Sequence, residues 1–146
     1  MGRILALDYG TKRTGVAVTD PLQLIAGGLA TVPTGELLAY VQAYVQREPV
    51  DLIVVGLPRT MAGEYSDSMK HIRPFVKRLR RALPNMPVEY ADERFTSVLA
   101  HQTMLDAGLR KKARQDKALV DELSATILLQ DYMESRAFRR PVGGNE

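Results

Sequence analysis

Apolar residues occur along the chain in two patterns, short runs and helical stripes. Short runs bounded by glycine, proline or acidic residues predict strands at 3–8, at 15–19, within 28–32, at 51–57 and at 88–91. Apolar spacing and capping residues predict helices at 35–48, 66–82, 96–107 and 117–136. Three strands come first, and helices and strands alternate afterwards. This order predicts an α/β fold in which helices pack on a mixed sheet.

The connections between these elements refine the prediction. The first two strands are joined by the polar segment 9–14, which contains Gly10. Because so short a connection suits a hairpin, we expect the two strands to be antiparallel. Residues 52–55 are continuously apolar, as in a strand that is covered on both faces. We expect one domain over residues 1–140 and a flexible tail over 141–146.

Length and cysteine content narrow the class of protein. A domain of 146 residues buries enough surface to need no covalent staple, and the chain has no cysteine. A disulfide framework and a zinc–thiolate site are therefore excluded. The apolar run at 4–7 stops at Asp8, which is too soon for a signal peptide, and no stretch approaches the ~20 apolar residues of a membrane span. These features predict a soluble, cytoplasmic protein with no membrane partner.

The net charge of +3 is modest, but the basic residues are clustered. The three clusters are Lys70, Arg73, Lys77, Arg78, Arg80 and Arg81; then Arg110, Lys111, Lys112, Arg114 and Lys117; and finally Arg136, Arg139 and Arg140. Clusters of this kind neutralise phosphates in nucleic-acid-binding proteins. They also occur as solvated faces of helices, and the sequence leaves both interpretations open.

Acidic residues follow the first and the last predicted strands. Asp8 ends the first strand, and Asp92 and Glu93 follow the last. If the two strands are parallel, these side chains meet at one edge of the sheet, where functional groups collect in such folds. Asp121 lies in the last helix, on a stripe that lets the helix approach the sheet closely. The other members of that stripe are Ser124, Ala125 and Leu128.

Three converging carboxylates repel one another, and a hard divalent cation removes that repulsion. Two Mg²⁺ or Mn²⁺ ions about 4 Å apart can activate a water and stabilise the leaving oxygen in phosphodiester cleavage. Spacing alone also allows separate structural roles. Asp8 would cap a turn, and Asp121 would interact favourably with the helix dipole. Asp92 would pair with Arg94.

Four motifs occur in order along the chain. They are Leu-Asp-Tyr-Gly-Thr-Lys-Arg-Thr-Gly-Val-Ala-Val at 7–18, Val-Gly-Leu-Pro at 55–58, Asp-Glu-Arg-Phe-Thr-Ser at 92–97, and Lys-Ala-Leu-Val-Asp at 117–121 with the apolar residues after it. Together they resemble the YqgF family, bacterial proteins described as Holliday junction resolvase-like or as nucleases of pre-16S ribosomal RNA. The resemblance spans nearly the whole chain, so it is specific.

The resemblance implies an RNase H-like fold, with a mixed five-stranded sheet flanked by helices. It implies metal-dependent phosphodiester cleavage in which Asp8, Glu93 and Asp121 are the catalytic residues and the ligands of Mg²⁺ or Mn²⁺. Glu93 is the expected ligand in preference to Asp92, whose expected role is to hold Arg94 from behind the site.

Four basic residues are expected to contact nucleic acid: Lys12, Arg13, Arg59 and Arg94. Lys12 and Arg13 also fit a solvated turn. The chain departs from the family in its central loop, which usually carries Met-Asp-Gly or Met-Asn-Gly. Here Ala62 stands between Met61 and Gly63, and it lacks the polar group that would make a hydrogen bond or contact substrate.

We therefore predict a nuclease that processes the ends of pre-16S rRNA in ribosome biogenesis. The alternatives are a Holliday junction resolvase acting on four-way DNA and a non-catalytic nucleic-acid-binding factor in transcription or ribosome assembly. The Asp-x-Gly-Thr opening at 8–11 also resembles the first phosphate loop of actin-like ATPases. Those proteins have two such domains and a second phosphate loop, which this short chain lacks. The sequence separates neither RNA from DNA nor a monomer from a homodimer.

Overall fold

The computed structural model describes residues 2–57, 69–92 and 117–139. Its strands are β1 (Arg3–Asp8), β2 (Arg13–Thr19), β3 (Ala26–Pro33), β4 (Val50–Leu57) and β5 (Val88–Asp92). Its helices are α1 (Leu37–Arg47), α2 (Met69–Ala82) and α3 (Lys117–Arg139), with a 3-10 turn at Thr34–Glu36. Each predicted element in these ranges is present. The predicted helix at 96–107, the start of the helix predicted at 66–82, and the tail at 141–146 lie outside the described residues.

The strands form one mixed sheet in the order β3-β2-β1-β4-β5. β1 is antiparallel to β2, as the short connection predicted, and β2 is antiparallel to β3. β1 is parallel to β4, and β4 is parallel to β5. The first and last strands therefore run in the same direction. Their carboxyl ends, at Asp8 and Asp92, lie at one edge of the sheet, which we call the acidic edge.

One face of the sheet is covered by α1 and α2. Leu5 and Leu7 of β1 are fully buried there, in a cluster that includes Val41 of α1 together with Ile72 and Phe75 of α2. The buried residues of α2 are Met69, Ile72, Phe75, Val76 and Leu79, which follow the three- and four-residue spacing of one helix face. Among the described residues, this face holds the larger part of the buried apolar side chains.

The other face is covered by α3. Ile4 and Ala6 of β1 alternate with the residues of the first face and pack with Ala125 and Leu129 of the helix. Successive side chains of a strand point to opposite faces. The odd-numbered residues Leu5 and Leu7 therefore pack on one side of the sheet, and the even-numbered Ile4 and Ala6 pack on the other. The sheet is therefore covered on both sides, which explains the continuous apolar run in β4.

Several bounds differ from the predicted ones for local reasons. β2 begins at Arg13, two residues before the prediction, because Arg13 pairs with Pro33 and extends the hairpin through polar residues. Helix α1 begins after the 3-10 turn and ends at Arg47, since Glu48 is extended in front of Pro49. Helix α2 runs through Pro74, which is exposed. In the described part of the chain, no helix combines the length and the apolar character needed to cross a membrane.

Candidate active site at the acidic edge

Asp8 is placed by the pairing of β1 with β2. It is the last residue of β1, and its partner on the antiparallel neighbour is Gly15. Ile4 and Ala6 pack toward α3, and Asp8 continues this alternate series. Asp8 therefore belongs to the face of the sheet that α3 covers.

Gly15 brings Asp121 to the same place. A Cβ atom at Gly15 would overlap the backbone carbonyl of Asp121, so the helix backbone lies directly on the strand. Only glycine leaves room for this approach. Paired residues on antiparallel strands lie about 5 Å apart. Gly15 therefore contacts the backbone of Asp121 and is the strand partner of Asp8. The structure thus places Asp8 and Asp121 beside the same glycine at the acidic edge.

Asp121 is paired with Arg13. The guanidinium Nε of Arg13 donates to Oδ2 of Asp121 at 2.5 Å, and the side chains are 35% and 25% exposed. A bond between two charged groups of this kind is stronger than a neutral hydrogen bond. Asp121 is the fifth residue of α3, and the first turn of that helix contains no acidic residue. The alternative role as a partner of the helix dipole is therefore not supported.

The turn between β1 and β2 is held by two threonines. Thr14 is fully buried, and its hydroxyl lies 3.0 Å from that of Thr34. Thr34 donates from its hydroxyl to the carbonyl of Gly10 at 2.5 Å and from its backbone N–H to the carbonyl of Lys12 at 3.0 Å. These bonds fix the loop that precedes Arg13. The side chain of Lys12 is exposed on this loop.

Helix α3 is held above the site by small residues and by polar contacts in addition to the Arg13–Asp121 pair. Ser124 and Ala125 are almost fully buried, and Leu128 is 1% exposed, so the predicted stripe does face the sheet. Farther along the helix, the hydroxyl of Tyr132 donates to Glu89 of β5 at 2.6 Å. This contact ties the helix to the last strand.

The last strand leads toward the third predicted carboxylate. Ala91 packs on the α3 side of the sheet, and Glu89 reaches Tyr132 on the same side. Asp92 ends β5, and its side chain is outside what the structure describes. Three predicted site residues, Glu93, Arg94 and Arg59, lie outside the described residues, as does Ala62.

Carboxylates at this edge have the hard oxygen donors that Mg²⁺ and Mn²⁺ prefer, so the residues present fit such an ion. Within residues 2–57, 69–92 and 117–139, no group of three acidic or histidine side chains is placed to hold a metal. The predicted set has two members in these ranges, Asp8 and Asp121.

Two features of this site were not predicted from the sequence. One is the role of Gly15 as the contact point between β2 and α3. The signal for it was a glycine inside an apolar strand, which often marks a close backbone approach. The other is the ion pair between Arg13 and Asp121, which are 108 positions apart. Arg13 was expected to contact nucleic acid or to lie in a solvated turn, and no local pattern connects it to the last helix.

A family model described as "RuvX: Holliday junction resolvase" matches residues 2–135. A protein of Bacteroides thetaiotaomicron named "Putative pre-16S rRNA nuclease" is 64% identical over 138 residues, which are 94% of this chain and 100% of that protein. A protein of Porphyromonas gingivalis with the same name is 59% identical over 135 residues, 92% of this chain and 98% of the other.

Among solved structures, the chain resembles RuvC of Thermus thermophilus in complex with a Holliday junction substrate. The TM-score is 0.59, the sequence identity is 17%, and the match covers 95% of this chain and 98% of RuvC. At this identity the likeness shows the fold alone. RuvC has an RNase H-like fold, so the expected fold, a mixed five-stranded sheet flanked by helices, is confirmed.

Proposed function

The chain belongs to the RuvX family of Holliday junction resolvase proteins, and from this premise we propose that it is a metal-dependent nuclease that processes the ends of pre-16S rRNA. Its close relatives carry the name of a nuclease for that RNA. The observation that supports the chemistry is the convergence of Asp8 and Asp121 around Gly15 at the acidic edge.

Asp8, Glu93 and Asp121 are the proposed catalytic residues and metal ligands. Glu89 and Ala91 of β5 lie on the α3 side, and Glu93 continues this alternate series in the sequence. That alternation favours Glu93 over Asp92 as the ligand. Bound Mg²⁺ or Mn²⁺ would supply an activated water and a positive charge beside the leaving oxygen. Asp92 would act behind the site by holding Arg94.

Arg13 has two partners in this proposal. In the described structure its guanidinium donates to Oδ2 of Asp121, an oxygen that a metal ion would also use. If a metal ion takes that oxygen, Arg13 would be available to a phosphate of the substrate, which presents the same kind of acceptor as a carboxylate. In this proposal Lys12, which is exposed in the preceding turn, contacts the phosphate backbone of the bound nucleic acid. Arg59 and Arg94 complete the proposed nucleic-acid-binding set.

We also propose that the protein works in the cytoplasm, where rRNA precursors are processed. Residues 1–140 are proposed to form the nuclease domain and 141–146 a flexible tail. The family description favours one second function, resolution of four-way DNA junctions. A resolvase cuts two strands, so that activity would need two copies of the chain on one junction.

The proposal is tested with wild-type protein and the Asp8→Asn variant. Each is incubated with single-stranded RNA, pre-16S rRNA ends or a four-way DNA junction, in Mg²⁺, Mn²⁺ or EDTA. Metal-dependent cleavage by the wild type and not by the variant would support the carboxylate site. Preference for the rRNA ends would support processing, and preference for the junction would support resolution. Tight binding by both proteins without any cleavage would contradict the nuclease proposal.

A further inference from the structure

Helix α2 carries an unusual concentration of positive charge. It contains six of the 20 Lys and Arg residues of the chain and no acidic residue. The remainder of the chain has 14 basic and 17 acidic residues and is therefore net negative by three. Without this helix of 14 residues the chain would therefore be net negative.

These charges are arranged as a stripe on the solvent side of the helix. Lys70, Lys77 and Arg81 are separated by seven and four residues, so they lie in line opposite the buried face. The stripe is about 16 Å long, because an α-helix rises about 1.5 Å per residue. Arg73 and Arg78, which are also exposed, flank it on either side. We call these five residues the α2 basic stripe.

Helix stability does not account for the stripe. Like charges three or four residues apart repel each other, and this occurs between Lys70 and Arg73, between Arg73 and Lys77, and between Lys77 and Arg81. Among the basic residues of α2, the helix dipole favours Arg80 and Arg81, which lie in the last turn, and of these two only Arg81 belongs to the line through Lys70 and Lys77. A sequence selected for helix stability alone would place acidic residues among these positions.

The stripe leads away from the acidic edge along the other face of the sheet. Phe75 packs on Tyr9, the residue after Asp8, with ring centroids 5.3 Å apart. In the last turn, Arg80 donates to the carbonyl of Val88, where β5 begins at the opposite edge. The helix therefore runs from the acidic edge toward the opposite edge of the sheet. It lies on the α1–α2 face, whereas the proposed catalytic residues belong to the α3 face.

We propose that the α2 basic stripe is a second nucleic-acid-binding surface, which holds the phosphate backbone of the substrate at a distance from the bond that is cut. The inference takes its partner from the proposed nuclease function. The rest of the chain is net negative, whereas the stripe is a line of cations. Such a line complements the regularly spaced negative charges of a nucleic-acid backbone. The stripe contacts phosphates without reading bases, so it adds affinity for long or folded substrates and little sequence preference.

The test measures binding separately from cleavage. Wild type and a Lys70→Gln/Lys77→Gln/Arg81→Gln variant are titrated in EDTA against a labelled RNA hairpin with a stem of about 20 base pairs, at several salt concentrations. Loss of three phosphate contacts should reduce the slope of log affinity against log salt by roughly three units. Thermal melting checks the fold, and removal of mutual repulsion should leave the midpoint unchanged or higher.

Single substitutions supply the matched control. Lys77→Gln and Arg47→Gln each remove one exposed charge on the same side of the sheet, and only Lys77 belongs to the stripe. We expect Lys77→Gln to reduce the slope by about one unit and Arg47→Gln to leave it unchanged. Equal effects of the two, or a triple variant with the wild-type slope, would overturn the inference. If the slopes differ as expected and the wild type shows no cleavage, the binding surface is supported and the nuclease proposal fails.

Discussion

The guanidinium of Arg13 and the carboxylate of Asp121 form an ion pair across the acidic edge, with Nε 2.5 Å from Oδ2. The pair joins the first residue of β2 to the last helix. It reduces the negative charge where Asp8 and Asp121 converge around Gly15. If a metal ion takes Oδ2, as the proposed function requires, it competes with the guanidinium for that oxygen, and metal binding would then be coupled to release of Arg13.

The Arg13→Gln variant should therefore bind Mn²⁺ more tightly than wild type. A partly exposed ion pair contributes up to about 1 kcal/mol, so loss of the competitor predicts a roughly two- to fivefold gain in affinity. Affinity for RNA should change in the other direction, because a phosphate contact is lost. Isothermal calorimetry measures the first effect, and fluorescence anisotropy with a short RNA measures the second.

Lys12→Gln is the control for this prediction. It removes the same formal charge one residue earlier, from an exposed side chain on the same turn. A general electrostatic effect would increase Mn²⁺ affinity equally in both variants, whereas direct competition at Oδ2 predicts a larger increase for Arg13→Gln. If Arg13→Gln binds Mn²⁺ no more tightly than Lys12→Gln, the coupling is absent.

The two neighbouring acids at the end of β5, Asp92 and Glu93, should differ in their effect on cleavage. Glu93→Gln removes a proposed metal ligand, and we expect cleavage to fall on the order of 10³-fold, as for Asp8→Asn. Asp92→Asn removes the residue proposed to hold Arg94 from behind the site, with an expected loss of roughly tenfold. Rates are compared at saturating Mn²⁺, and Mn²⁺ affinity is measured in parallel. The reverse order of the two variants would assign the ligand to Asp92.

The stability of the fold should depend on pH through Asp20, which lies in the loop before β3. Its carboxylate accepts hydrogen bonds from the backbone N–H groups of Ile25 at 2.8 Å, Leu24 at 2.7 Å and Leu22 at 3.2 Å. These bonds, that of Ile25 first, lower the pKa of Asp20 below its ordinary value of 3.8. Its stabilising effect is therefore present above pH 3.8 and is lost as the pH falls through the lowered pKa.

In Asp20→Asn that acid-dependent loss should be absent. The amide does not titrate, so the melting midpoint of the variant should fall less than that of wild type between about pH 5 and about pH 2. Carboxyl NMR titration of wild type gives the pKa directly. Parallel decline of the two midpoints would show that Asp20 does not contribute to the acid sensitivity of the fold.

The sequence predicted the elements and the acidic edge because both depend on local patterns. Asp8 and Asp92 follow apolar runs, and the runs themselves indicated the strands. The motifs added the number of strands in the sheet and the proposed role of Asp121 in the last helix. The contacts across the site were harder to predict. The pairing of Arg13 with Asp121 and the bond between Thr14 and Thr34 join residues far apart in the chain. The sequence around each of these residues does not indicate which distant residue it will contact.

Gly15 offers the most direct test of how the site is assembled. Replacement by alanine would place a methyl group on the backbone carbonyl of Asp121, and a backbone cannot rotate aside as a side chain can. Helix α3 would have to move away from β2, so we expect a loss of about 1–3 kcal/mol in the free energy of unfolding. Asp121 would move away from Asp8 with it, and cleavage should fall more than stability alone explains.

Gly27→Ala is the matched substitution, because Gly27 lies in the neighbouring strand β3 and an added Cβ there meets no atom within 4 Å. We expect a change within about 0.5 kcal/mol and wild-type cleavage. Chemical denaturation gives the two free energies, and Mn²⁺ calorimetry at a temperature where both variants are folded tests the site separately. A Gly15→Ala protein with normal stability and normal Mn²⁺ affinity would show that α3 need not contact β2 for the acidic edge to form.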